Sequence, residues 1–332
     1  MFKKLTALLL VVLLLLTGCG TVDIMDDTVN DLVQDYTNHT KPGTTLPAVG
    51  DMLDRILDDY VSGLKIPDRS QIQHNTVDPA KPGNTFQNVN NNCNSIDEMK
   101  QCILQALSNT EKSVTFYINP SLFSRDVLYN VVFNQLCEEY MLETMGMQKY
   151  QYSTMQADAN RLAVSIEFFY FENKYSLNDV KTMKQQSLEK AKEIIRTLGL
   201  EGKSTYDQVY LVNKYLCDNC VYPKTEPYSA ESHSIYGALI EKSAVCEGYA
   251  RSAQLIFSLL NINSYFVVGD TPAGGHAWNL VYVDGAFYQL DITWNDAEYQ
   301  PNAYFLVTDE YMSKSRTWDT TRYPASSKTP YK

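Results

Sequence analysis

No run of apolar residues in this 332-residue chain reaches the ~18 that a membrane-spanning helix needs, which excludes a transmembrane helix. Basic residues are scarce: 28 Lys and Arg stand against 39 Asp and Glu, a formal charge of -11. A nucleic-acid binder needs a basic surface to meet phosphates, so that class is excluded too. Cysteine is sparse, with seven in the whole chain, too few for a small disulfide-held scaffold. There is no internal repeat. What is present is core-forming material: 44% hydrophobic and 12% aromatic residues rule out a wholly disordered chain. The length suits two or three domains, or one domain with extensions.

The N-terminus has the order of an export signal. Lys3 and Lys4 are followed by an apolar stretch from Ala7 to Leu16 and then by Leu16-Thr17-Gly18-Cys19. That tetrapeptide resembles the lipobox of bacterial lipoproteins, in which the cysteine is acylated and becomes the mature N-terminus. The expectation is a signal peptide over 1–18, a lipid on Cys19, and an extracytoplasmic protein tethered to the cell membrane rather than spanning it. Loss of Lys3 and Lys4 moves the charge from -11 to -13.

Composition then divides the rest. Residues 19–94 read as a flexible tether, with Pro42-Gly43, Pro47, Pro67, Pro79, Pro82-Gly83 and an Asn-rich end at 88–94, interrupted by short helical patterns at 23–36 and 51–62. Residues 95–200 read as a small α/β accessory region: helices over 96–107, 126–142 and 177–198, and strands over 114–118 and 162–171, with Gly199 placed to end the long helix. Residues 201–332 hold the chemistry. Helices are expected over 206–216, 235–240 and 244–260, the last capped by Ser243 and ended by Asn261. Strands are expected over 265–268, 277–283 and 286–293.

Asp284-Gly285 between two β-rich runs is a two-residue hairpin signal, and it fixes a register. Pairing Val283 with Ala286 sets Trp278 opposite Asp291 and His276 opposite Thr293, so these four share one face. His276 and Asp291 are then diagonal neighbours, roughly 7–8 Å apart and within reach of a hydrogen bond. Ala277, Val281, Val283, Tyr288, Leu290 and Ile292 form the core face, with Asn279 its one clearly polar member. Cys246 falls in the first turn of the 244–260 helix, where peptide dipoles favour a thiolate. A thiolate beside an imidazole that a carboxylate orients is the arrangement of nucleophilic acyl transfer. Taken singly, a helix cysteine is more often a small buried residue and a strand histidine a structural one. The three together point to a Cys246–His276–Asp291 triad.

Ala244-Val245-Cys246-Glu247-Gly248-Tyr249-Ala250 resembles the cysteine motif of the transglutaminase-like superfamily. Gly275-His276-Ala277-Trp278-Asn279 is similar to its histidine motif, and Tyr288-Gln289-Leu290-Asp291-Ile292-Thr293-Trp294 to its aspartate motif. The segments Ile235 to Leu239 and Tyr304 to Glu310 resemble those before the cysteine and after the aspartate strand; the resemblance covers about residues 203–323. It implies an α+β, papain-like fold with the nucleophile helix packed on an antiparallel sheet. It assigns Cys246 as nucleophile, His276 as general base and acid, and Asp291 as orienting carboxylate. It implies acyl transfer or hydrolysis of peptide or protein amides through a thioester, here in the cell envelope. The alternative is a catalytically silent surface binding module on the same fold. Arg316 departs from the resemblance, standing in a segment where similar bacterial sequences often carry histidine; it is read as lying outside the triad with a bearing on substrate.

Trp278, Trp294 and Tyr236 are candidate substrate-site residues, although core packing suits one of the two tryptophans better. Cys217-Asp218-Asn219-Cys220 closes a helix rather than opening one, which favours a structural role or a local disulfide over redox chemistry. No motif calls for a metal or an organic cofactor. Cys93, Cys102 and Cys137 carry no motif and read as buried thiols.

Overall fold

The computed structural model describes residues 91–225, 228–296 and 302–331. The expected signal segment, Cys19, and the tether up to residue 90 with its two helical patterns lie outside the described residues. The tether's expected end does not: Asn92–Cys93 forms a short strand, β1, and Cys93 is buried, so the folded body begins before residue 95.

Two four-stranded sheets organise the body. The first follows the helix α1 (Ile96–Ser108), whose N-cap Ser95 accepts the Glu98 N–H as its composition demands. It contains β2 (Ser113–Ile118), β3 (Met147–Asp158) and β4 (Arg161–Tyr170) in the order β1-β2-β4-β3, with β1 parallel to β2 and the other pairs antiparallel. The expected helix over 126–142 is instead broken: α2 (Arg125–Tyr129) runs into a π-helical stretch, Asn130–Leu136, and a last turn, α3 (Cys137–Glu139). β3 was not expected. Its sequence is mostly polar, and from Gln151 onward it lies exposed at the sheet edge, so no apolar alternation announces it.

The long helix α4 (Leu177–Thr197) starts with a capping box between Ser176 and Asp179 and stops at Gly199, whose φ of +57° suits a residue without a Cβ. After α5 (Thr205–Asn219) and a π-helical turn, Gly237–Glu241, comes α6 (Cys246–Leu259). The second sheet has the order β7-β6-β5-β8, from β5 (Ser264–Thr271), β6 (Gly274–Val283), β7 (Ala286–Leu290) and β8 (Thr317–Trp318). All its pairs are antiparallel. Short helices α7 (Ile292–Asn295) and α8 (Asp309–Met312) link β7 to β8. The architecture is α+β, with α6 packed on β5 and β6 as the resemblance implied.

The larger apolar core runs from Cys93 to Leu306 and joins the expected accessory and catalytic regions, because α4 and α5 both pack on α6. No break in the packing falls at residue 200.

Candidate active site

Helix α6, the expected nucleophile helix, begins two residues later than its sequence predicts. Ser243 is not its cap: the Ser243 N–H donates to Gly237 O at 3.0 Å, Ala244 N–H to Val221 O at 3.2 Å, and Val245 N–H to Ser232 O at 3.0 Å. Those three bonds hold 243–245 extended, and the helix opens at Cys246 itself with no side-chain cap. Cys246 is half-buried. Gly248 shows why this turn needs a residue without a side chain, since a Cβ there would stand 2.6 Å from Ser232 O and 2.7 Å from the Ala244 Cβ.

The hairpin register is the one its two-residue turn dictates. Asp284 and Gly285 both have positive φ, and pairing runs from Val283–Ala286 to Asn279–Leu290. It stops there. Asp291 leaves the strand, its backbone N–H donating to Tyr304 O, and its Oδ1 accepts the Trp294 N–H to cap α7. Thr293 is therefore helical and not part of the strand face, which corrects the expected 286–293 strand. The pairing of Trp278 with Asp291 is likewise not made.

The His276–Asp291 contact forms nonetheless. His276 Nε2 lies 2.7 Å from Asp291 Oδ2, with both side chains almost wholly buried. Burial works to lower the basicity of His276, but the hydrogen bonds to Asp291 and Cys246 outweigh it and hold its pKa at about 9. The three expected residues are thus brought together from a helix start, a strand and a strand end.

Asn279, the polar residue on the core face, has a partner on the nucleophile helix: its Nδ2 donates to Ala250 O at 3.1 Å and to Gln254 Oε1 at 3.3 Å. Gln254 in turn donates to Ser264 O at 2.8 Å. These bonds tie α6 to β5 and β6 and so fix Cys246 relative to His276.

The opposite face of the hairpin is buried as well. Val267, Trp278 and Leu280 pack with Met312 and Tyr323 from the C-terminal segment. Trp278 is 1% exposed, donates its indole N–H to Gln289 Oε1 at 2.6 Å, and stacks on His276 at 5.8 Å. It is a core residue that supports the imidazole and does not line a substrate site. Trp294 is 40% exposed and meets the His276 ring edge-on at 6.4 Å, which keeps it at the mouth of the site. Tyr236 is partly buried against the core.

Arg316 does not lie apart from the three residues. It is 2% exposed, and its Nη2 and Nε donate at 2.5 and 3.1 Å to Asp291 Oδ2, the same oxygen that His276 uses. Its guanidinium sits 4.6 Å from the Trp294 ring centre and 4.1 Å from that of Tyr304. Twenty-five residues separate Arg316 from Asp291 in sequence, and only the fold of the C-terminal segment joins them. The one signal the sequence offered for Arg316 was its departure from the resemblance, an arginine where similar sequences often carry histidine.

The Cys217–Cys220 pair is not disulfide-bonded. Cys217 Sγ contacts Ile292 O at 3.7 Å, and burial pushes the two thiols up to about 12 and about 11, which fits a structural role.

No curated protein matches the chain. Among solved structures, a TGase is similar at 17% identity with a TM-score of 0.33, covering 57% of this chain and 54% of its own. The periplasmic domain of TgpA from Pseudomonas aeruginosa is similar at 13% identity with a TM-score of 0.26, covering 41% of this chain and 55% of its own. The match thus spans about half of each of those structures. The model of the transglutaminase-like superfamily matches residues 189–292, a stretch that holds the helix start at Cys246, the strand at His276 and the cap at Asp291. This chain carries a transglutaminase-like superfamily domain over residues 189–292.

Proposed function

We propose that the protein is a cysteine-dependent acyltransferase or amidohydrolase acting on peptide or protein amides. Cys246 is the nucleophile, His276 the general base and acid, and Asp291 the carboxylate that orients the imidazole. The observation that carries this reading is the placement of His276, bonded to Asp291 through Nε2 and near enough to Cys246 for the thiol to raise its basicity. With Nε2 taken, Nδ1 is the nitrogen left to exchange a proton with the thiol. His276 accepts the Cys246 proton, the thiolate attacks the amide carbonyl, and the C–N bond breaks as His276 returns that proton to the departing amine. Water, or a second amine, resolves the thioester. The first-turn N–H groups of α6, which no side chain caps, suit the stabilisation of the oxyanion. Trp294 forms one wall for the acyl donor. The lipobox-like segment adds the location: lipid-anchored through Cys19, outside the cytoplasm, with substrates in the cell envelope.

The test is iodoacetamide labelling at neutral pH, read on the tryptic peptide that runs from Ser243 to Arg251. His276→Ala should slow labelling of Cys246 at least about tenfold, because general-base help is worth roughly 10²–10⁴. Labelling indifferent to His276 would leave a thiol without a base, and a binding module would replace the enzyme.

A further inference from the structure

Asp291 Oδ2 accepts from three donors at once: one imidazole nitrogen and two guanidinium nitrogens. All three side chains are 0–7% exposed, so water screens none of these charges. A carboxylate that served His276 alone would hold a proton on the imidazole more strongly still, and an imidazolium held too strongly is slow to return its proton to a leaving amine. Arg316 is the counterweight. Its positive charge shares the carboxylate, so the field Asp291 exerts on His276 is reduced. The aromatic rings of Trp294 and Tyr304, themselves in contact, both pack against the guanidinium and help hold it in place. The groups that face His276 are Cys246 from the nucleophile helix, Asp291 from the strand end, and the uncharged rings of Trp278 and Trp294. Behind Asp291 stand Arg316 and the Tyr304 hydroxyl.

We propose that Arg316 is a positioning residue that fixes the Asp291 carboxylate and restrains the basicity of His276, so that the imidazolium formed with the Cys246 thiolate can still return its proton. This rests on the triad reading above, but its test does not need turnover.

The chain has four histidines, so ring signals from isotope-labelled histidine are few enough to follow through a pH titration by NMR. The full chain carrying Cys246→Ser removes the thiol's own titration and serves as the reference, with His276→Ala assigning the signal. Arg316→Gln and Arg316→Met should each raise the His276 midpoint by about one pH unit, since a close charge shifts a neighbour by roughly 1–3. Arg316→Lys keeps the charge and should stay near the reference. A neutral variant that leaves the midpoint unmoved or lowers it overturns the proposal, and so does a lysine variant that moves as far as the neutral ones. If neither neutral variant folds, the lysine variant decides alone: a midpoint displaced by about one pH unit overturns it and an unmoved one supports it. The labelling experiment on His276→Ala is independent of this one. A base-dependent thiol with no Arg316 effect removes only the present inference.

A separate observation carries a second inference. Cys93 on β1 and Cys102 on α1 are both buried, with their sulfurs 3.4 Å apart. The contact is a thiol–thiol hydrogen bond that raises the acidity of Cys102 and lowers that of Cys93. We infer that these two residues are a disulfide-forming pair that fastens β1 to α1. Each thiol loses one hydrogen, the Sγ–Sγ bond forms, and a small disulfide oxidant is reduced to two thiols. Lys100 lies between the two cysteines, so trypsin releases 70–100 and 101–112 as separate peptides unless a bond joins them. The full chain is incubated with oxidised glutathione, blocked with iodoacetamide and digested without reductant. A joined peptide, two hydrogens lighter than the sum, is the expected product. Alkylated or glutathione-capped thiols, or pairing of either cysteine elsewhere, overturn the inference.

Discussion

The two sheets of this protein are alike in size and opposite in chemistry. On the strands of the first, every buried residue is apolar or aromatic: Phe116, Ile118, Val164, Ile166, Phe168 and Tyr170 among them. On the second sheet and the turns leaving it, His276, Asn279, Gln289, Asp291 and Arg316 are all buried and each makes side-chain hydrogen bonds, Asn279 through its Nδ2 while its Oδ1 has no partner among the described residues. Burying polar groups is costly unless each finds a partner, so a fold concentrates them where function repays the cost. The first sheet is scaffold by this measure, and the second holds the candidate site.

That division is open to attack. The largest effect should come from Phe116→Ala, a full truncation in the apolar sheet, at about 3–5 kcal/mol of stability by thermal or urea unfolding. Below the unfolding transition, Cys246 labelling should be unchanged. A slowed label would mean that the first sheet also shapes the site. Gln289→Leu is the counterpart in the polar sheet. It strips the Trp278 indole N–H of its acceptor and Asp309 of a donor, and should cost about 1–3 kcal/mol. Because Trp278 stacks on His276, this variant should slow labelling as well, and a normal rate would separate the polar network from the site.

The scaffold side holds one buried cation, and it gives a pH test. Lys184 on α4 donates to Leu107 O and Glu143 O at 2.8 and 2.6 Å, and burial pulls its pKa down to about 7 from 10.5. Between those values the unfolded chain binds more protons than the folded one, so stability rises as pH rises from about 7 to 10.5. The slope from this group is at most about 1.4 kcal/mol per pH unit. Lys184→Met should lose that rise, and equal slopes in urea titrations of the two proteins would contradict it. The smallest effect belongs to Met155→Ser on the exposed edge strand, where Met155 is 70% exposed. It should shift stability by less than about 0.5 kcal/mol.

Local signals in the sequence reached far into this structure where one short-range force decides the outcome. Asp284-Gly285 sets a hairpin register because only a few turns fit the strand twist, and Gly199 and Asn261 end helices because both accept positive φ. The same logic failed where distant backbone groups compete. Ser243 looks like a cap, yet Gly237, Val221 and Ser232 claim the N–H groups of 243–245 and delay the helix. Asp291 looks like a strand residue, yet its carboxylate caps α7 and ends the strand. β3 stayed hidden because an exposed edge needs no apolar pattern. In the candidate site, the motifs singled out Cys246, His276 and Asp291, and the fold brings the three together. Arg316 was seen as a departure without its partner, because an ion pair across 25 residues leaves no local trace.

The C-terminal segment gives the molecule its natural cutting lines. The superfamily match ends at residue 292, inside the first turn after Asp291. A piece excised at that border would keep the thiol, the imidazole and the carboxylate. It would discard the guanidinium on that carboxylate, the residues that shield Trp278, and the strand that closes the sheet. For anyone dissecting or grafting this domain, the smallest unit that keeps these contacts has to run past Tyr323.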